Sequence, residues 1–198
     1  MLYFFVLILV NLMWACLFPC YKIATQNLGP MTVALLPMVM ATVPLIPIVI
    51  FTRQKRDGGS FGRHFLNFVI LGLGSVVAAV GLAWGVHLSL ASNASVIALM
   101  LPILNALLAV VLLGERMNRL LWISFGLAIA GVLMVSDVDW HSIQLFRGKY
   151  LAGNALILVG YLGSAFYNAF GKRLMRVFTP PEVLLYAFLV AESVLYSS

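Results

Sequence analysis

Apolar runs of about 18 to 25 residues recur along this chain, and a run of that length wound as a helix reaches across the ~30 Å hydrocarbon core of a bilayer. Inside that core water cannot satisfy peptide groups, so only helices and closed barrels can span it. A transmembrane strand alternates apolar and polar residues over about ten positions, whereas Ala106 to Leu113 is apolar throughout. The fold class is therefore all-α, a polytopic membrane helix bundle. Composition agrees: 63% of the 198 residues are hydrophobic against 9% charged, which leaves too little polar surface to enclose a soluble core.

A hydropathy window predicts about seven transmembrane helices, at about 3–25, 30–51, 65–90, 93–113, 119–136, 150–171 and 181–198. The connection from Thr52 to His64 carries Arg53, Lys55, Arg56 and Arg63 against a single acid, Asp57. Basic residues near span ends favour the cytoplasmic side. Alternating from there, Arg116, Arg119, Lys172, Arg173 and Arg176 also fall inside, and only Arg147 and Lys149 fall outside. The N-terminus is thus expected inside, and the C-terminus outside. No basic residue precedes the first apolar run, so it reads as a retained span rather than a cleaved signal. The basic residues are scattered among loops without a continuous stripe, which excludes nucleic acid as a partner and leaves the lipid bilayer.

Leu7-Ile-Leu-Val10 recurs as Leu156-Ile-Leu-Val159, and one inserted residue then lays Lys22 on Lys172 and Pro30 on Pro180. The two copies start five spans apart. An odd number reverses the direction of entry, so the repeat is an inverted one, an arrangement found in secondary transporters.

The stretch from Ser95 to Pro102, SVIALMLP, is followed by Leu-Leu-Gly114-Glu115-Arg116 and then by Trp122, Gly126 and Gly131. Together with Trp14 through Lys22 and Gly29-Pro30, this pattern resembles the EamA-type family of the drug/metabolite transporter superfamily. The resemblance implies a first five-helix repeat over 1–137, an outside loop over 138–149 and a partial second repeat over 150–198. It further implies ten helices in a whole member and a small metabolite, amino acid or drug as cargo. Leu35-Leu-Pro-Met38 stands where many relatives carry an Arg, and the stop at Ser198 reads as truncation.

Asn11, Ala15, Phe18 and Lys22 share one stripe of the first helix with Trp14 at its edge, and Tyr161, Ala165, Asn168 and Lys172 share one in the sixth, beside Ser164. Polar groups in hydrocarbon usually face a cavity, so Asn11, Trp14, Phe18, Lys22, Asn105, Tyr161 and Asn168 are the expected substrate pathway. Lys22 has a second reading, snorkelling to the outer interface, and Lys172 a second one as an inside anchor. Glu192 lies about ten residues, or about 15 Å, into the seventh span and is the candidate for proton coupling. Its alternative is a shifted span or a partner in a missing remainder.

Pro102 removes a backbone bond to the carbonyl of Ala98, either orienting a carbonyl toward substrate or only kinking the helix. Gly114 and Glu115 read as a tight turn with Arg116, and Gly81, Gly85, Gly126 and Gly131 as close-packing positions. Pro102, Gly114, Glu115, Gly126 and Gly131 are thus expected to be structural. Cys16 and Cys20 read as core residues, and Asn93 as a helix cap. His87 reads as structural. Gly72-Leu-Gly74 lacks the third glycine of a dinucleotide fingerprint and lies within an apolar run.

No cofactor, metal site or catalytic set is visible, and the chain is not read as an enzyme. The expected function is a secondary transporter for a small organic metabolite or drug-like solute, gradient-coupled and working by alternating access in a bacterial inner membrane. The alternative is a non-transporting membrane scaffold or a truncated remnant. Its expected partners are a small-molecule substrate and lipid, with a homo-oligomer or a complementing chain supplying any missing helices.

Overall fold

The computed structural model describes residues 2–52, 61–114, 118–120, 122–124, 126–127, 130 and 148–197. Of these residues 91% are helical and none is in a strand. Among the described residues the helices with full bounds are, in chain order, α1 (Leu2–Ala15), α2 (Leu17–Asn27), α3 (Pro30–Thr52), α4 (Phe61–Leu88), α5 (Ala91–Ala98), α6 (Leu101–Leu113), α7 (Gly148–Leu174) and α8 (Pro180–Tyr196).

Among the described residues, three stretches are long and apolar enough to cross a membrane, Pro30–Thr52, His64–Leu88 and Gly148–Leu174. The pairs α1/α2 and α5/α6 bring this to five if each is one span, bent by 42° and 40°. The expected first and fourth spans are therefore each a pair of helices bent at a break. Both breaks have the same cause. α1 ends at Ala15 and α5 at Ala98, each four residues before a proline, Pro19 and Pro102, whose missing N–H leaves that carbonyl without its helical donor. Proline alone does not decide the matter, because α3 runs unbroken through Pro37, Pro44 and Pro47. The expected seventh span is α8, whose 17 residues rise about 26 Å, short of the full hydrocarbon thickness. Much of the expected fifth span, together with Glu115 and Gly131, lies outside the described residues.

α4 is the hub, packed against α2, α3, α5, α7 and α8. Its most extensive partner is α7. Gly81 meets Gly160, Gly85 meets Ile157 and Gly153, and Gly74 meets Phe166, so numbering rises along one helix as it falls along the other and the pair is antiparallel. A Cβ added at Gly81 would stand 2.8 Å from the Gly160 Cα. Small residues let backbones approach this closely, and in lipid such packing is the main source of helix association.

The sequence reading of Gly81 and Gly85 matches this contact, whereas a Cβ on Gly126 would meet nothing within 4 Å among the described residues. Gly114 ends α6 in the left-handed region at φ 66°, its N–H directed to the Ala109 and Val110 carbonyls, which is the αL cap that a tight turn after a helix requires. Cys16 and Cys20 are exposed rather than core. They lie at and just after the break between α1 and α2, where a thiol behaves as a small apolar group. Asn93 is no cap either. It lies inside α5, fully buried.

Candidate functional site

A cavity of about 240 Å³ opens where the two broken spans meet the long helices. Trp14 and Leu17 flank the first break, Leu101 follows the second, and Met38 approaches from α3. One face of α4 supplies Ser75, Ala78, Ala79 and Leu82, at the i, i+3, i+4, i+7 spacing that puts four residues on one helical stripe. α7 supplies Gly160, Tyr161, Ser164 and Tyr167. The walls are mostly apolar, and the lining side chains that carry polar groups are Trp14, Ser75, Tyr161, Ser164 and Tyr167 among the described residues. The Tyr167 hydroxyl is buried and has no hydrogen-bond partner among them.

Of the expected pathway residues, Trp14 and Tyr161 line this cavity. Phe18 packs instead against the apolar cluster of Val86, Ala94, Ile97, Ile157 and Tyr161. Asn11 is exposed and bonds back to the Leu7 carbonyl at 2.8 Å, satisfying its amide within its own helix. Asn105 and Asn168 are brought together, the Asn168 amide donating to Asn105 Oδ1 at 3.1 Å and joining α7 to α6.

Lys22 is drawn to the end of α4. Its Nζ donates to the carbonyls of Val86 at 3.0 Å, His87 at 2.8 Å and Ser89 at 2.5 Å. An ammonium has three N–H donors, and a helix C-terminus presents unpaired carbonyls and a partial negative charge. The cation thus serves as a cap contributed by another helix. Directly beside it, the Ser89 hydroxyl bonds Asn154 Oδ1, and Asn93 Nδ2 lies 3.3 Å from both Ser89 Oγ and Asn154 Oδ1. These bonds tie α2, α4, α5 and α7 into one polar knot.

On the other side of the cavity, Thr42 of α3 donates from Oγ1 to Glu192 Oε1 at 2.5 Å. Met38, one turn from Thr42, packs with Ala191 and Leu195 against Leu35 and Ala79, so the Glu192 pair and the cavity share a wall. At the start of α8, Glu182 accepts from the Thr179 N–H at 2.8 Å and from its hydroxyl at 2.9 Å. This capping box was legible as Thr-Pro-Pro-Glu but was not read from the sequence.

Ser75, Tyr167, Thr42, Ser89 and Asn154 were also missed. The spacing of Gly160, Ser164 and Tyr167 was the available signal for the α7 stripe, one face over from the expected one. Among the described residues no three His, Cys, Asp or Glu side chains gather at metal-binding distance.

A family model described as the EamA-like transporter family matches residues 1–137. An uncharacterized transporter of Archaeoglobus fulgidus is 25% identical over 199 residues, covering 96% of this chain and 65% of that protein. A probable terminal-alkyne amino-acid exporter of Streptantibioticus cattleyicolor is 27% identical over 188 residues, 91% of this chain and 58% of that protein. An uncharacterized transporter of Bacillus subtilis is 24% identical over 153 residues, 76% and 49% of the two chains. The chain thus spans about half to two thirds of the length of these relatives. No solved structure matches.

Proposed function

The chain belongs to the EamA-like transporter family, and from that premise we propose that it forms part of a secondary transporter moving a small organic metabolite or drug-like solute by gradient-coupled alternating access. The observation that carries this reading is the cavity between the two broken spans, walled by Trp14, Leu17 and Leu101 beside the breaks. Discontinuous helices around a central site are how transporters combine a polar backbone with a lipid-embedded path. The carbonyls of Ala15 and Ala98, freed by Pro19 and Pro102, lie at those breaks. One relative is named an exporter of an amino acid, which supports a small organic cargo.

In this reading residues 1–137 are the first repeat and 150–198 the beginning of an inverted second one. The antiparallel contact of α4 with α7, the third and sixth expected spans, supports it, since helices three crossings apart run in opposite directions. The N-terminus lies inside, in a bacterial inner membrane. Glu192 is the proton-coupling group. Its carboxyl accepts from Thr42 beside the cavity wall, and an ionisable residue within a membrane span is a candidate for a proton pathway.

The test is gradient-driven uptake of a panel of small solutes into vesicles containing the full polypeptide, with Ser164→Phe filling the cavity and Glu192→Gln removing the titratable group. Uptake should fall at least tenfold in the first variant and lose its dependence on a pH gradient in the second. Unaltered uptake by Ser164→Phe would sink the site, and no solute moved by the parent would leave the scaffold reading in its place.

A further inference from the structure

We propose that Lys22 is the latch of a gate that closes one end of the cavity, and that α2 and α5 are the two leaves the latch holds shut. This deepens the preceding reading and rests on it for the cavity being a solute path.

Three layers follow one another toward the end of α4. Leu82, Leu101 and Tyr161 line the cavity, and the same three side chains belong to or pack on the apolar cluster of Val86, Ala94, Ile97 and Ile157. Phe18 and Tyr21 pack on that cluster from α2. The polar knot comes next along each helix. Val86 gives its carbonyl to Lys22 while its side chain sits in the cluster, Asn93 precedes Ala94, and Asn154 stands one turn before Ile157. A solute passing this end must part the cluster, and the knot holds the cluster together.

The helices that meet here are held in different ways. α4 and α7 touch through their backbones, at Gly81 with Gly160 and at Gly85 with Gly153, a contact with no side chains to rearrange. α2 and α5 are arms of the two bent pairs, joined to α1 and α6 at the breaks. Residues at element ends are where a hinge absorbs its backbone change. Each arm carries a polar tie to the glycine-packed pair. Lys22 reaches three carbonyls at the end of α4, and Asn93 reaches Ser89 and Asn154.

A tie to a helix end can be undone where a tie within a helix cannot. The last carbonyls of a helix have no donor in its own ladder, so withdrawing Lys22 breaks bonds to a charged group without unwinding α4. Water entering as the arm swings replaces them.

The test is thiol labelling of the full polypeptide in membrane vesicles. Cys16→Ala and Cys20→Ala remove the native thiols, and Ser164→Cys then places one in the cavity wall. A membrane-impermeant thiosulfonate is added to vesicles of each orientation. The face from which Leu90→Cys reacts, in the turn after α4, is the face probed. From that face Ser164→Cys should react far more slowly than Leu90→Cys. Lys22→Met should speed it about tenfold or more, since one bond to a charged group shifts an open–closed balance by that much. Ser89→Ala leaves the cation in place and should speed it by less. Leu71→Ala loosens packing toward the other end of α4 and should leave the rate unchanged.

Equal rates with and without Lys22, or the same acceleration by Leu71→Ala, would overturn the proposal. So would a Ser164→Cys thiol as reactive in the parent as Leu90→Cys. If Lys22→Met fails to insert, Ser89→Ala decides by the same comparison. Acceleration by Lys22→Met in a chain that moves no solute would support the latch and defeat the transport reading. Solute uptake with no acceleration would do the reverse.

Discussion

The hydroxyl of Thr42 donates to the carboxyl of Glu192 at 2.5 Å, joining α3 to α8 across 150 positions of sequence. Thr42 is 6% exposed, so this bond is shielded by the helices around it. Neighbouring residues extend its reach. Ala191 is fully buried against Met38, which lines the cavity, and a shift in the Glu192 contact is therefore felt at the cavity wall. Interiors this closely packed move between discrete arrangements rather than deform smoothly.

Thr42→Val keeps the shape of the side chain and removes the hydroxyl, leaving the Glu192 carboxyl short of one partner. The expected loss is about 1–3 kcal/mol of stability. In a double-mutant cycle with Glu192→Gln, read by unfolding in mixed micelles, the coupling energy should be at least about 0.5 kcal/mol. A coupling of zero would mean that the bond contributes nothing.

Lys22→Met deletes three charge-assisted donors from the end of α4. Bonds to a charged group contribute about 1.5–3 kcal/mol. Partial exposure of Lys22 places the expected loss near the lower bound, at about 1.5 kcal/mol by the same unfolding measurement. Ligand binding in the cavity should be unchanged, because the amine does not line it. Normal stability with abolished binding would return Lys22 to the substrate path.

Gly81→Val and Gly126→Ala should behave oppositely. At Gly81 a Cβ would press within 2.8 Å of Gly160 backbone atoms, which a flexible side chain cannot relieve, so α4 and α7 must part at an expected cost of about 3 kcal/mol or more. Gly126 is helical, and among the described residues nothing stands within 4 Å of a Cβ there, so alanine should be neutral or stabilising by up to about 1 kcal/mol through helix propensity. Thermal denaturation of the two purified variants in one detergent distinguishes them, and equal losses would contradict the α4–α7 contact.

Much of the architecture was legible because it follows from local chemistry. Apolar runs with no water to bond their peptides must become helices, and α3, α4 and α7 fall where hydropathy puts them. The Gly114 turn followed from the only residue type that takes φ 66° without strain. Side-chain roles were far less legible. In α1 and α3 nearly every position is apolar, so no amphipathic stripe says which face turns inward, and the expected stripe of α7 was displaced by one face. Asn11 shows the result, since its helical neighbours suggested a pathway while its amide bonds its own backbone.

The sequence by itself determined that the chain lives in lipid as helices, and that Pro19 and Pro102 deprive Ala15 and Ala98 of their backbone donors. Only the tertiary structure decided that those two prolines break their spans while Pro37, Pro44 and Pro47 leave α3 whole. It alone set Lys22 on the end of α4 and Glu192 on Thr42, and buried the Tyr167 hydroxyl without a partner among the described residues. The reason is that composition and backbone donors are properties of a residue and its near neighbours. The rotation of an all-apolar helix is set instead by where glycines let another backbone approach, and that contact joins residues far apart in the chain.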